Sequence, residues 1–233
     1  MASAAAGMDN RRRDAILTGV SAHRPIAVLF DAGGTLILQD PEEMSARLGR
    51  PVDAMAAHRA HYVAMAEFSD RRLQGHDLGW DWWLERYFGL LGVADPHLAG
   101  DRIARGYGLW NHSLDGVAEA VEAMLRSGIR VAVVSNSDGS VTESLARAGL
   151  AHLFEFVIDS HDVGVSKPDP RIFEAALERM GVHPSQAWYV GDSVFHDVNG
   201  ALAASMAKAV LVDPYDLAPD HLVKVRSVTE LVF

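Results

Sequence analysis

Short apolar segments alternate with helical patterns along most of this 233-residue chain, and this alternation restricts its fold more than any other feature. The apolar runs are 26–30, 131–135, 156–159, 187–190 and 209–212. Helical patterns separate the later runs, at about 115–127, 140–149, 170–181 and 196–205. Runs that are apolar throughout are typical of parallel strands buried on both faces. The sequence therefore predicts an α/β fold with a doubly wound parallel sheet, which binds ligands beyond the carboxyl ends of its strands.

Residues 37–112 interrupt this alternation, because they contain helical patterns and no convincing strand. They hold most of the large aromatic residues, which we expect to pack within a small helical bundle. The interpretation is an all-helical subdomain of residues 37–112, inserted into a core formed by residues 24–36 and 113–233. Because the insert closely follows the first strand, it is expected to cover the sheet edge and exclude water there. Residues 1–23 are predicted to form a flexible leader.

Charge and composition favour a small, diffusible ligand. With 31 acidic and 21 basic residues, the net charge of −10 argues against nucleic acid or an anionic membrane as a partner. The chain has no cysteine, which excludes thiolate chemistry and agrees with a cytoplasmic location. No segment reaches the roughly 18 consecutive apolar residues expected of a transmembrane helix.

Polar residues stand at the ends of the predicted strands. They are Asp31 after the first strand, Ser135 and Asn136 at the second, Lys167 after the third, and Asp192 and Asp197 after the fourth. Parallel strand ends lie side by side, so these side chains are expected to meet in one pocket. Three clustered carboxylates would repel one another without a cation, and oxygen ligands favour Mg²⁺ over zinc. A phosphate bound beside the cation would be held by Ser135, Lys167 and backbone N–H groups.

The first of these strand ends is followed by a glycine-rich turn, Asp31-Ala32-Gly33-Gly34-Thr35. A turn of this kind presents backbone N–H groups, including that of Gly34, to an anion such as phosphate. Asp31 would then be a nucleophile or a metal ligand. Two residues after Asp31, where a second carboxylate would complete a two-carboxylate catalyst, the sequence has Gly33.

Four segments together resemble the haloacid dehalogenase-like hydrolase superfamily. They are FDAGGTL, VVSNSDG, SKPDP and VGDSVFHDVNGA, which occur in the family's order within residues 26 to 213. The resemblance implies a Rossmann-like core, a helical cap of the C1 type at 37–112, and Mg²⁺-dependent hydrolysis of a small phosphorylated metabolite through an aspartyl-phosphate on Asp31.

The same resemblance implies a role for each site residue. Asp31 would be the nucleophile, Asp31, Asp192 and the Gly33 carbonyl would bind Mg²⁺, and Asp197 would support the metal site. Ser135 and Lys167 would bind the transferring phosphoryl group, while Thr35 and Asn136 would help to shape its pocket.

Gly33 departs from the family pattern, because phosphatases of this family generally carry there an Asp that protonates the leaving group and then activates water. General acid–base catalysis contributes about 10²- to 10⁴-fold, so activity is expected to be weak or restricted to good leaving groups. His196 is the first residue to consider as a replacement. The other candidates are His23, His112, His161, Asp40 and Glu42.

Three alternatives follow from the missing acid. Haloacid dehalogenases also lack this Asp, but they are metal-independent and do not share the Gly-Asp-Ser start of the fourth motif. Phosphonoacetaldehyde hydrolases need a cap lysine, and residues 37–112 contain none. A protein that binds metal and phosphate, or a protein partner, without turnover is the third alternative.

Overall fold

A computed structural model of the protein describes residues 24–96 and 108–233. Its main sheet has six parallel strands in the spatial order β5-β4-β1-β6-β7-β8. The strands are β1 Ala27–Phe30, β4 Arg130–Ser135, β5 Val157–Asp159, β6 Ala187–Gly191, β7 Lys208–Val212 and β8 Lys224–Val225. The predicted doubly wound sheet is therefore confirmed. Strand β8 was not predicted, because it has only two half-buried residues.

Successive residues of each central strand point to opposite faces of the sheet and join different cores. In β1, Val28 and Phe30 belong to one hydrophobic cluster, whereas Ala27 and Leu29 belong to the other. The first cluster includes side chains of helices α4 Val117–Arg126 and α5 Val141–Arg147, and the second includes those of α7 Pro170–Met180 and α8 Asn199–Ala203. A short helix, α6 Ser160–Val163, follows β5. The sheet is thus covered by helices on both faces.

The described part of the insertion contains three helices, α1 Pro41–Leu48, α2 Ala54–Leu73 and α3 Trp80–Leu90. Its own core includes Trp83, Tyr87 and Phe88, so these aromatic residues pack between helices as expected. The prediction that 37–112 is entirely helical is wrong at both ends. There, strands β2 Ile37–Gln39 and β3 Trp110–Ser113 pair antiparallel. The two segments that connect the insertion to the core therefore run side by side, and their backbone N–H and C=O groups form hydrogen bonds with each other.

One face of helix α2 lies against the loops at the carboxyl edge of the sheet. The hydroxyl of Tyr62 donates to the Gly34 carbonyl at 2.7 Å, and the hydroxyls of Ser69 and Ser193 lie 3.0 Å apart. Tyr62 and Ser69 are seven residues apart and so lie on the same side of the helix. The insertion therefore covers the sheet edge.

Among the helices in the described part of the chain, none has the length and apolar character needed to span a membrane.

Two sequence expectations concern residues outside the described part of the chain. These are the flexible leader at 1–23, which includes His23, and the helical character of residues 97–107 within the insertion.

Candidate active site

Asp31 follows β1 directly, at the point where the chain leaves the sheet. Its N–H donates to the Val190 carbonyl of the neighbouring strand at 2.8 Å, and its side chain is buried. Gly34 turns the chain with a φ of 77°, and a Cβ there would collide with Asp192 and His61. A glycine is thus required at this position. The next residue, Thr35, buries a hydroxyl that has no hydrogen-bond partner among the described residues.

Lys167 connects two of the carboxylates. Its Nζ donates to Oδ1 of Asp31 at 2.6 Å, to Oδ1 of Asp197 at 2.7 Å and to the Tyr189 hydroxyl at 3.0 Å. Burial alone would lower the pKa of Lys167, but Asp197 and Asp31 outweigh it and raise that pKa. The lysine is therefore a buried cation with two carboxylate partners.

Asp31, Asp192 and Asp197 form a compact acidic cluster, in which one carboxylate oxygen from each lies within 4.8 Å of the others. Burial raises the pKa of Asp31 to about 7, with further contributions from Asp197 and Asp192 and opposition from Lys167. Burial and then Asp197 raise the pKa of Asp192 well above its ordinary value. One lysine does not balance three buried carboxylates, so the cluster offers a fitting set of oxygen ligands for a divalent cation.

Asn136 holds the backbone of Lys167. Its side-chain oxygen accepts from the Lys167 N–H at 2.8 Å, and its amide nitrogen donates to the Lys167 carbonyl at 3.0 Å. Both ends of the amide are therefore occupied by Lys167. Ser135 is buried at the end of β4 beside this contact.

A cavity of about 480 Å³ lies between the sheet edge and the insertion. Of the predicted site residues, those that line it are Asp31, Gly33, Ser135, Asn136, Lys167, Asp192 and Asp197. The structure thus brings together residues separated by more than 160 positions of sequence. Gly34 and Thr35 are not among the lining residues.

The family model for haloacid dehalogenase-like hydrolases matches residues 27–205, which is most of the chain and spans all of these residues. The chain belongs to this hydrolase family.

Several members with curated names are similar in sequence. Haloacid dehalogenase-like hydrolase domain-containing protein 3 of Mus musculus is 30% identical over 78% of this chain and 84% of its own length. The match to the protein of that name in Homo sapiens is 34% identical and covers 59% of this chain and 58% of that one. A phosphoserine phosphatase of Thermus thermophilus is 42% identical over 48% of this chain and 43% of its own.

Among solved structures, a dehalogenase with an intermediate complex superposes with a TM-score of 0.62. It is 25% identical, and the alignment covers 88% of this chain and 95% of that one. The family therefore includes relatives named as phosphatases and as dehalogenases.

His61 is a site residue of this hydrolase that the sequence did not reveal. It lies on helix α2 and is fully buried, and its Nε2 is 2.7 Å from Oδ2 of Asp192. Burial lowers the pKa of His61 to about 3, so the ring is neutral near pH 7. The sequence held one signal of this role. His61, Met65 and Phe68 are spaced so that they lie on one side of a helix, and all three line the cavity.

The histidines proposed as replacements for the missing acid have different positions. His112 and His161 are exposed, and His23 lies outside the described residues. His196 lines the cavity and stacks on Phe68 with ring centroids 5.5 Å apart. Burial lowers the pKa of His196 to about 4, so this ring is also neutral near pH 7.

The two carboxylates considered as replacements do not line the cavity. Asp40 caps helix α1 by accepting from the N–H groups of Glu42 and Glu43, and Glu42 is exposed.

Proposed function

We propose that this hydrolase is a Mg²⁺-dependent phosphatase that acts on a small phosphorylated molecule through an aspartyl-phosphate on Asp31. The supporting observation is the buried cluster of Asp31, Asp192 and Asp197 with Lys167 bridging two of its members. A carboxylate nucleophile needs nearby cations to accept a dianionic phosphoryl group. The name of the Thermus thermophilus relative agrees with this reaction class.

Asp31, Asp192 and Asp197, with the Gly33 carbonyl, are the groups proposed to hold Mg²⁺. Burial, together with the neighbouring carboxylates, raises the pKa values of Asp31 and Asp192, and a divalent cation would stabilise their ionised forms against both effects. When bound, Mg²⁺ would neutralise charge on the phosphoryl oxygens and lower the repulsion between the phosphate and Asp31.

In the proposed reaction, an oxygen of Asp31 attacks phosphorus, and the bond from phosphorus to the leaving-group oxygen breaks. The leaving group departs with the bonding electrons. Water then hydrolyses the aspartyl-phosphate, releasing inorganic phosphate and regenerating Asp31. Lys167 and Ser135 would bind the phosphoryl oxygens, and Asn136 would keep Lys167 in place through its two backbone contacts.

Dehalogenation is the second candidate, favoured by the 25% identity and by the superposition of 88% of this chain on a dehalogenase. In that reaction Asp31 would attack a carbon atom, halide would leave, and water would hydrolyse the resulting ester. The buried Asp192 argues against it, because a metal-independent reaction has no use for a second carboxylate beside the nucleophile.

The test is to measure phosphate release from phosphate esters and acyl phosphates with Mg²⁺ and with EDTA, and chloride release from a 2-chloro acid. Asp31→Asn should abolish phosphate release, while Asp162→Asn, a matched change at an exposed residue, should retain it. Chloride release that is insensitive to EDTA would favour dehalogenation. Folded protein that binds Mg²⁺ but hydrolyses no phosphate compound would refute the proposal.

A further inference from the structure

We propose that the leaving group of the substrate is an aromatic alcohol, so that the preferred substrates are small aryl phosphates. This inference deepens the phosphatase function proposed above and rests on it. Three features of the cavity carry it: the contact between Gly33 and Trp110, the aromatic wall of the insertion, and the charges that line the remaining space.

Trp110 occupies the space that a side chain at position 33 would need. A Cβ on Gly33 would lie 2.9 Å from Cζ3 of Trp110, 3.3 Å from Cε3 and 3.4 Å from Cη2. The six-membered ring of the indole therefore lies directly over the glycine, two residues from Asp31. An apolar aromatic surface stands where a proton donor to the leaving group would otherwise be.

The insertion continues this aromatic surface. Trp80 stacks on Trp83 with centroids 4.4 Å apart and planes 10° apart, and Trp83 stacks on Tyr87 at 5.1 Å. Trp80, Tyr87 and Trp110 all line the cavity. Trp80 is 45% exposed, a large apolar area for a residue at a cavity wall. Flat apolar surfaces of this kind bind another aromatic ring by stacking or edge contact.

The charges around the cavity disfavour a second anionic group on the substrate. Among the described residues that line it, the lysine and arginine side chains are Lys167 and Arg72. Lys167 is held by Asp31 and Asp197, and Arg72 donates to Asp77 at 2.7 Å. Lys167 serves the transferred phosphoryl group and Arg72 already pairs with Asp77, so neither side chain is dedicated to a carboxylate or a second phosphate. An uncharged leaving group therefore fits this cavity better than an amino acid.

The chemistry of the leaving group agrees with this geometry. A phenol has a pKa near 10, as in tyrosine, whereas the pKa of an alkyl alcohol is far higher and close to that of water. When Asp31 forms its bond to phosphorus, the phenoxide can depart with the electron pair and take a proton from water afterwards. An aryl ester thus depends on the missing acid much less than an alkyl ester does, and its ring matches the aromatic surface that stands in place of the acid.

The experiment compares phenyl phosphate with glycerol phosphate and acetyl phosphate, each with Mg²⁺. Phenyl phosphate should exceed glycerol phosphate by about 100-fold or more in kcat/KM, the size of a missing general acid. Acetyl phosphate needs no general acid and has no aromatic ring. It therefore tests the phosphatase function separately from the preference for aryl phosphates. If it is hydrolysed while phenyl phosphate shows no preference over glycerol phosphate, the aryl inference fails and the phosphatase stands. If no phosphate compound is hydrolysed, the proposed function itself fails.

Trp110→Leu and the milder Trp110→Phe test the binding surface directly. Trp110→Leu should lower the ratio of kcat/KM for phenyl phosphate to that for acetyl phosphate by about tenfold, the loss of one aromatic contact. Trp110→Phe should have a smaller effect. Trp82→Leu is the matched control, because Trp82 lies on the insertion but does not line this cavity. An unchanged ratio in folded Trp110→Leu would overturn the inference.

Discussion

Nε2 of His61 lies 2.7 Å from Oδ2 of Asp192, so the insertion contacts the acidic cluster through a fully buried imidazole. The ring is neutral near pH 7 and forms a hydrogen bond with the Asp192 carboxyl group through Nε2, while Nδ1 is left buried without a partner among the described residues. The same helix donates from Tyr62 to the Gly34 carbonyl. The position of helix α2 is thus coupled to the groups that are proposed to bind the cation.

Replacing His61 should destabilise the metal-free protein more than the Mg²⁺-bound protein. His61→Ala removes the hydrogen-bond partner of the buried Asp192 side chain, a change that costs about 1–3 kcal/mol in the free energy of unfolding. Mg²⁺ would stabilise the same carboxylate, so the difference from wild type should shrink when it is added. Urea unfolding with EDTA and with Mg²⁺ measures this. His61→Gln retains an amide donor and should lose less; equal loss with and without Mg²⁺ would contradict the coupling.

Binding of Mg²⁺ should strengthen as the pH rises towards 7. Burial holds the pKa of Asp31 at about 7, so protons compete with the cation for this carboxylate below that pH. Each proton displaced from Asp31, or from Asp192 whose pKa is also raised, would change the apparent affinity about tenfold per pH unit below the pKa of that group. Calorimetric Mg²⁺ titrations across this range measure the effect.

Asp31→Asn is the control for this dependence on pH. It should bind Mg²⁺ more weakly and with a shallower dependence on pH, because one titrating ligand is gone. An affinity of the wild type that does not change with pH would show that Asp31 is already ionised.

The carboxylates that follow the strands could be predicted to share one site, because their positions depend only on where each apolar run ends in the sequence. Asp31 and Asp192 follow predicted strands, and a parallel sheet brings those strand ends together whatever the loops do. The contribution of His61 was not predictable in this way. A histidine on a helix reaches the site only through the angle and depth at which that helix packs, and these are properties of tertiary contacts rather than of local pattern.

The hydrogen bonds of Asn136 could not be predicted from the sequence either, because they too depend on tertiary contacts. The family resemblance implied that Asn136 would help to shape the phosphate pocket, and Asn136 lines the cavity. Its two hydrogen bonds to the Lys167 backbone depend on how the distant loop around Lys167 returns to β4, which no spacing in the sequence encodes.

Asn136→Ala should therefore act on activity through Lys167. Losing both backbone contacts would let the Lys167 ammonium move from its place between Asp31 and Asp197. Loss of positioning of this kind costs about 100-fold in kcat/KM, with about 1–3 kcal/mol lost in unfolding free energy. Kinetics with an acyl phosphate and urea unfolding give the two values. Asn199→Ala, the same change at an exposed asparagine that does not line the cavity, is the control and should have little effect on activity. Normal kinetics of Asn136→Ala would show that Lys167 does not need this contact.

Restoring an acid at position 33 should require removing Trp110 as well. Gly33→Asp alone forces a side chain against the indole, since even its Cβ would be 2.9 Å from Cζ3. This single variant should lose stability and gain little activity. The double variant Gly33→Asp with Trp110→Ala opens the space, so the new carboxyl group can protonate a poor leaving group. Its kcat/KM for glycerol phosphate should rise about 10²- to 10⁴-fold over Trp110→Ala alone, the usual contribution of general acid–base catalysis. Thermal unfolding and Mg²⁺ titration establish that each variant is folded and binds metal. A folded, metal-binding double variant without that gain would show that the missing acid does not limit the reaction.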